Sequence, residues 1–280
     1  MPKPLIATDL DGTLLTTGSQ APHPDAIEAV HQAIAAGIPV VFATGRSPID
    51  ILPIAQMVGH HWFAVCNDGS SLVDLETKKV LRTHPMSADL LKSVVSNLRQ
   101  EFPGVKFLLD RVEVGPISDS YNIVAEYGFE APWAWALDGA RFVEDIVEEF
   151  EIDGIVKLSV FIDADGMQDT TFKAVKNFLP EVTCVRIHSD KTFIDICNKG
   201  ISKATGVAEI AEMHGIDQAD VFAVGDLFND IEMLDWAGFS FAVENAHPHV
   251  HDVADLIVPS NDKGGVAKVI QAALEHLGRP

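Results

Sequence analysis

Asp9 and Asp11 stand one residue apart in "IATDLDGTLL", residues 6–15, with apolar residues before them and Gly12-Thr13 after. In an extended chain, residues i and i+2 point to one side, so both carboxylates face one pocket if a strand ends here. Two adjacent carboxylates repel, and a divalent cation or a shared proton holds such a pair together. A helix cap or a loop salt bridge is the competing reading. A second group is "VVFATGRS", residues 40–47, with Thr44, Gly45 and Arg46 between an apolar run and Pro48. Glycine lets a ligand approach the backbone, and a hydroxyl beside helix-start amides suits phosphate. An ordinary strand-to-helix turn has the same residues. "NKGISKATG", residues 198–206, offers Lys203 at a helix start as a cation for an anionic substrate, with Lys199 competing for that role. "FAVGDLFNDIEML", residues 222–234, places Asp226, Asn229 and Asp230 after Gly225. Acidic and amide oxygens are hard donors of the kind Mg²⁺ takes, and a helix cap is again the alternative for any one of them.

Elements must bring these four groups together. Residues 5–9, 39–44 and 62–66 read as apolar strands, separated by helices over 24–36 and 48–58, with Ile27, Val30 and Ile34 on one helical face. Strands that are apolar throughout and alternate with helices predict a doubly wound parallel sheet covered on both faces. The pattern changes near residue 84. Residues 88–102 read as a helix, followed by short strands at 105–109 and 112–115. An acidic stretch, "EDIVEEFEID", precedes a strand at 155–162, a helix at 170–178 and a strand at 182–187. Alternation then resumes: a strand at 193–197, a helix from Lys203, strands at 221–224, 239–243 and 256–258, and a helix over 266–277. The expected organisation is therefore an α/β core from 1–83 and 191–280, interrupted by an inserted α+β unit over 84–190.

Taken together, DLDGT, TGR, SK and GDLFND in this order resemble the four motifs of the haloacid dehalogenase superfamily. The insertion resembles the cap of its Cof-type sugar-phosphatase group, as do "FAVENA", "ADLIV" and "NDKGGVAKVI" near the C-terminus. The resemblance implies a Rossmann-like core carrying a cap that sets substrate choice. It implies that Asp9 attacks phosphorus to form an aspartyl-phosphate, and that Asp11 protonates the leaving alkoxide and later activates water. It implies Mg²⁺ held by Asp9, the backbone carbonyl of Asp11 and Asp226, with Asp230 close by. Thr44, Gly45 and Asn229 would hold phosphate oxygens, and Lys203 would neutralise charge on the phosphoryl group and Asp9. Arg46 would be structural or substrate-facing. One departure is "CNDGSS", where Asp68 stands between Asn67 and Gly69, so the reach of Asn67 to substrate is left open. The implied activity is hydrolysis of small phosphate monoesters, sugar phosphates foremost. The alternatives are a phosphomutase of the phosphomannomutase type, or a non-catalytic phospho-ligand sensor.

Composition narrows the partners. The 280 residues carry a formal net charge of −21 with no cluster of Lys and Arg, which disfavours nucleic acid and anionic lipid. A phosphate ester must then be met by a local cation or a metal. No run of eighteen apolar residues or secretory signal is visible, and a cytoplasmic protein is expected. Cys66, Cys184 and Cys197 are far apart and read as small buried residues. "HPHVH" sets His247 and His251 at helical spacing, and "DADG", residues 163–166, opens like a calcium loop. Both read as ordinary surface elements.

Overall fold

The computed structural model describes residues 3–59, 62–118, 123–130, 137, 139–163, 168–186 and 192–278. The first five elements alternate as the apolar pattern predicts: β1 (Leu5–Thr8), α1 (Pro24–Ala36), β2 (Val40–Ala43), α2 (Pro48–Val58) and β3 (Phe63–Cys66). β1 and β2 are buried at every residue, as a sheet covered on both faces requires. Helix α1 buries Ala26, Ala29, Val30 and Ala33. Of the predicted face, Val30 is buried and Ile27 packs against the core, whereas Ile34 is 42% exposed.

The chain next forms an antiparallel hairpin absent from the sequence reading, β4 (Ser71–Asp74) and β5 (Lys79–Thr83), which extends the sheet from β3. Then follow α3 (Ala88–Glu101), β6 (Lys106–Arg111), β7 (Gly115–Pro116), β8 (Ile123–Glu126), β9 (Arg141–Val143), β10 (Ile155–Ile162), α4 (Gln168–Phe178), β11 (Val182–Arg186) and β12 (Thr192–Asn198). The last part holds α5 (Lys203–Met213), β13 (Val221–Gly225), α6 (Ile231–Trp236), β14 (Phe239–Val243), α7 (Pro248–His251), β15 (Leu256–Val258) and α8 (Val266–Leu277).

Two sheets result. The larger has nine strands in the order β15-β14-β13-β1-β2-β3-β4-β5-β7, parallel from β15 to β3 and antiparallel beyond. The smaller has six, β11-β12-β10-β6-β8-β9. Two expectations change here. The strand expected at 193–197 does not return to the larger sheet: β12 lies antiparallel between β10 and β11. Residues 115–116, from within the expected insertion, pair instead with β5 at the edge of the larger sheet. Each sheet has its own apolar core, one around Val41, Val65 and Val224, the other around Val94, Phe107 and Leu158. No helix among the described residues is long and apolar enough to cross a membrane.

Candidate active site

Four adjacent parallel strands end at one edge, in the order β13, β1, β2, β3. The residues that follow them are Asp226, Asp9, Thr44 and Asn67. This is the edge at which open α/β sheets bind ligands. Adjacent strands in register explain why groups more than two hundred residues apart meet: the amide of Asp9 donates to the Val224 carbonyl at 3.0 Å, and Thr13 Oγ1 donates to Asp226 Oδ1 at 2.9 Å. Gly12, at φ +82°, makes the turn after Asp11 possible, and a Cβ there would stand 2.4 Å from Asp226 Oδ2.

Carboxylate oxygens of Asp9, Asp226 and Asp230, all buried, lie within 4.8 Å of one another. Lys203 binds two of them, donating 2.7 Å to Asp9 Oδ1 and 2.7 Å to Asp230 Oδ1. The remaining oxygen of Asp230 accepts from the amides of Asp226 and Leu227 at 2.9 and 3.1 Å. Asp230 is thus fully engaged in holding Lys203 and the turn after β13. By contrast, Asp9 Oδ2 and Asp226 Oδ2 receive no hydrogen bond from the described residues. Burial raises the Asp9 carboxyl above its ordinary range, against the pull of Lys203, and raises Asp226 as well, with Asp9 and Asp230 adding to it. Burial alone would lower the Lys203 ammonium, but Asp230 and Asp9 outweigh it and hold the charge in place. Three buried carboxylates against one ammonium leave a negative site with two open hard oxygens, a donor set suited to a small divalent cation.

Lys203 owes its place to the first turn of α5. Ser202 caps that helix, its Oγ accepting from the Thr205 amide while Thr205 Oγ1 accepts from the Ser202 amide at 3.0 Å. The turn after β3 packs directly on this cap: a Cβ on Gly69 would lie 2.1 Å from the Ser202 carbonyl oxygen. Lys199, the rival in the sequence, is exposed.

The Thr44-Gly45-Arg46 loop is laced to the next one. Asp68 N donates to the Thr44 carbonyl at 3.1 Å, and Asn67 N to the Arg46 carbonyl at 2.9 Å. Asn67, Asp68 and Gly69 all have positive φ, at 49°, 54° and 106°, an unusual run that closes this turn. The side chain of Asn229 donates to Asp68 Oδ1 at 2.9 Å. Asn67 Oδ1 and Asp68 Oδ2 are buried without a hydrogen-bond partner.

Asp11 does not join the carboxylate cluster. Arg46 grips it through both oxygens, Nε to Oδ2 at 2.7 Å and Nη2 to Oδ1 at 2.5 Å, while Arg46 Nη1 donates to Gln20 Oε1 at 2.7 Å. The two carboxylates of the DLD segment are therefore separated by their partners, one ammonium and one guanidinium. The arrangement sets one buried carboxylate beside an ammonium, with a second carboxylate at its edge against a guanidinium.

Several groups near this edge went unremarked in the sequence. Lys157 of β10 donates 2.8 Å to the Gly45 carbonyl and pairs with Asp195 and Asp110 at 3.1 and 3.3 Å. Their signal was available: a lysine inside "IVKLSVFI" and an aspartate inside "TFIDIC" are charges set in the middle of apolar strands. Three of the six carboxylates in the acidic stretch are paired, Asp145 with Arg99, Glu149 with Arg111 and Arg141, and Glu151 with Lys92. His247 caps α7, accepting from the His249 amide, and His251 meets the Val243 carbonyl, so the two rings do not share a site. The three cysteines are free and buried. Residues 164–166 of "DADG" lie outside the described residues.

A family model described as haloacid dehalogenase-like hydrolase matches residues 6–270. The chain is 29% identical over 276 residues to the 5-amino-6-(5-phospho-D-ribitylamino)uracil phosphatase YbjI of Escherichia coli, covering 97% of this chain and 96% of that one. It is 28% identical to the pyridoxal phosphate phosphatase YbhA of the same organism, covering 96% and 98%. Among solved structures, a phosphatase of the haloalkanoate enzyme superfamily from Bacteroides thetaiotaomicron superposes with a TM-score of 0.77 at 25% identity, covering 97% of this chain and 95% of that one. A subclass IIB sugar phosphatase has the same fold, with a TM-score of 0.77 at 22% identity and 99% coverage of both chains.

Proposed function

The chain belongs to the haloacid dehalogenase-like hydrolases and is a phosphatase of that family, and from this we propose that it hydrolyses small phosphate monoesters, sugar phosphates foremost, with Mg²⁺. The observation that carries the reading is the Lys203 ammonium held between Asp9 and Asp230, with Asp9 Oδ2 and Asp226 Oδ2 left open beside it.

In this reading Asp9 is the nucleophile. Lys203 keeps it ionised and in place, and its carboxylate oxygen attacks phosphorus, so that the ester O–P bond breaks as the aspartyl O–P bond forms. Thr44, the Gly45 backbone and Asn229 hold the phosphoryl oxygens, Asn229 being steadied by Asp68. Asp11 gives a proton to the departing alkoxide, then takes one from the water that cleaves the aspartyl-phosphate. To do so it turns from Arg46, whose two-pronged grip makes Arg46 a positioning residue for the acid. Asp9 and Asp226 would hold Mg²⁺ with the Asp11 carbonyl, and Asp230 supports them through Lys203 and the Asp226 amide. A bound Mg²⁺ supplies charge neutralisation for the phosphoryl group. Residues 84–190, extended to the end of β12, form the unit that covers the site and chooses the substrate; Lys157 reaching the Gly45 carbonyl supports this.

The test is phosphate release from a panel of sugar phosphates, phosphorylated cofactors and an aryl phosphate. Release that needs Mg²⁺ and stops in Asp9→Asn is the expected result. Release that persists in Asp9→Asn, or no release from any panel member, overturns the reading.

A further inference from the structure

The loop Thr44-Gly45-Arg46 has three backbone carbonyls to satisfy. The larger sheet's own chain takes two of them: Asp68 N donates to the Thr44 carbonyl at 3.1 Å and Asn67 N to the Arg46 carbonyl at 2.9 Å. The third, that of Gly45, is met from the smaller sheet, by Lys157 Nζ at 2.8 Å. The amide in the same peptide unit, Arg46 N, donates to Thr44 Oγ1 at 3.1 Å. The Gly45–Arg46 peptide plane is therefore held at both ends, its C=O by the lysine and its N–H by the threonine. A hydroxyl that accepts from an amide still has its own proton to give. Thr44 is buried, and among the described residues nothing takes that proton.

The lysine is aimed by its own sheet. β10 has a register shift against β6 between Ile155 and Lys157, where Val156 is the extra residue, and a bulge of this kind redirects the side chain beside it. Val156 itself is buried in the apolar core of the larger sheet, so β10 is seated where Lys157 crosses to the loop. Lys157 stands opposite Asp110 on β6, and Ser159 stands opposite Asp195 on β12. Asp195 and Asp110 flank the ammonium at 3.1 and 3.3 Å, and Ser159 steadies Asp195 by donating 2.5 Å to its Oδ1. All four side chains are buried. Apolar side chains of similar volume often stabilise a fold as well as such a buried ionic cluster. What they cannot do is reach a carbonyl.

We propose that Lys157 is a positioning residue for phosphoryl binding: by holding the Gly45 carbonyl it fixes the peptide whose amide orients the Thr44 hydroxyl, so that the hydroxyl proton is directed at a phosphoryl oxygen. The proposal rests on the hydrolase reading for the place of the phosphoryl group. It makes the grip on phosphate depend on a contact from the smaller sheet, whatever the leaving group.

The experiment is a double-mutant cycle on Lys157→Met and Thr44→Val. It is read by calorimetry of inorganic phosphate binding to the Mg²⁺-loaded protein, and by kcat/KM for p-nitrophenyl phosphate and glycerol 3-phosphate. Each single substitution should weaken phosphate about tenfold, the scale of one hydrogen bond. The double variant should also lose about tenfold rather than about a hundredfold, because the lysine acts through the hydroxyl. In Lys157→Met, kcat/KM should fall by the same factor on both esters. A merely structural role leaves phosphate affinity unchanged in Lys157→Met or makes the two losses additive, and either result overturns the proposal. So does a loss confined to one ester, which would place Lys157 at the leaving group. Thermal melts check folding; where Lys157→Met does not fold, Lys157→Met/Asp195→Asn, with one carboxylate fewer left unpaired, takes its place in the cycle with the same expected losses. Wild type that binds phosphate but turns over neither ester sinks the hydrolase reading, while the phosphate cycle still decides the role of Lys157. Wild type that binds no phosphate overturns the proposal itself.

Discussion

Replacing Lys203 by Met keeps most of the side chain's length and removes its charge. Each of its contacts, at 2.7 Å, is worth about 6 kcal/mol at an effective dielectric of about 20. Desolvation of the ions offsets most of this, and removing one partner of a buried pair leaves a loss of about 3–5 kcal/mol. The loss should depend on pH, with a definite sign. Asp9 already stands above its ordinary range through burial, and Lys203 is the strongest influence holding it down. Without Lys203 it rises further, so the folded variant keeps a proton that the unfolded chain releases. Stability then falls as pH rises towards that higher value, with a limiting slope of about 1.4 kcal/mol per pH unit per proton. Urea unfolding of the metal-free protein should therefore show a larger deficit at about pH 8 than at about pH 5. Excess MgCl₂ should recover more stability in the variant than in wild type, because it brings charge back to the same carboxylates. Phosphate release should drop at least about 100-fold, the scale of losing a preorganised charge at the reacting group. A deficit below about 1 kcal/mol at the higher pH, or one equal at both, would refute this account of the Asp9–Lys203–Asp230 cluster.

Asp11→Asn should separate leaving groups: about 100- to 10,000-fold loss of kcat on an alkyl phosphate, whose alkoxide needs a proton, and a much smaller loss on p-nitrophenyl phosphate. Equal losses on both would remove Asp11 from the role of acid. Gly206→Ala tests the seat of α5. A Cβ there would stand 2.5 Å from Val65 Cγ1 and 3.0 Å from Cγ2, and such overpacking costs about 1–3 kcal/mol even though alanine is the better helix former. A lower urea midpoint is expected, and a more stable variant would contradict the tight contact of α5 with β3.

What the sequence made legible at this site is what is local to a strand end. Asp9, Thr44 and Asp226 each follow an apolar run that is buried on both faces, and a glycine stands nearby to allow the turn. Their meeting then follows from parallel neighbours. Partnerships were less visible. That Arg46 holds Asp11, or that Asp68 holds Asn229, depends on side-chain directions across loops 35 and 161 residues apart. Strand β12 was misplaced because "TFIDICN" is apolar enough for either sheet, and only its antiparallel ladder with β10 and β11 decides between them. The same strand brings Asp195 to Lys157, so the error in topology and the missed polar network have one cause.

The charge balance connects these findings. A chain of net charge −21 must draw in an anionic ester, yet both lysines at the phosphate loop are already matched, Lys203 by Asp9 and Asp230, Lys157 by Asp110 and Asp195. Neither can therefore act as a bare anion trap. Each instead fixes Asp9 or the Gly45 carbonyl, one from α5 in the core and one from β10 in the smaller sheet. Attraction for phosphate must come from the amides of the loop and from a dication at the two open carboxylate oxygens. On this argument metal binding precedes productive substrate binding, and a phosphate ester should bind the metal-free protein far more weakly than the metal-loaded one. Equal affinity of inorganic phosphate, by calorimetry, for chelator-treated and Mg²⁺-loaded protein would show that the lysines suffice and that the argument fails.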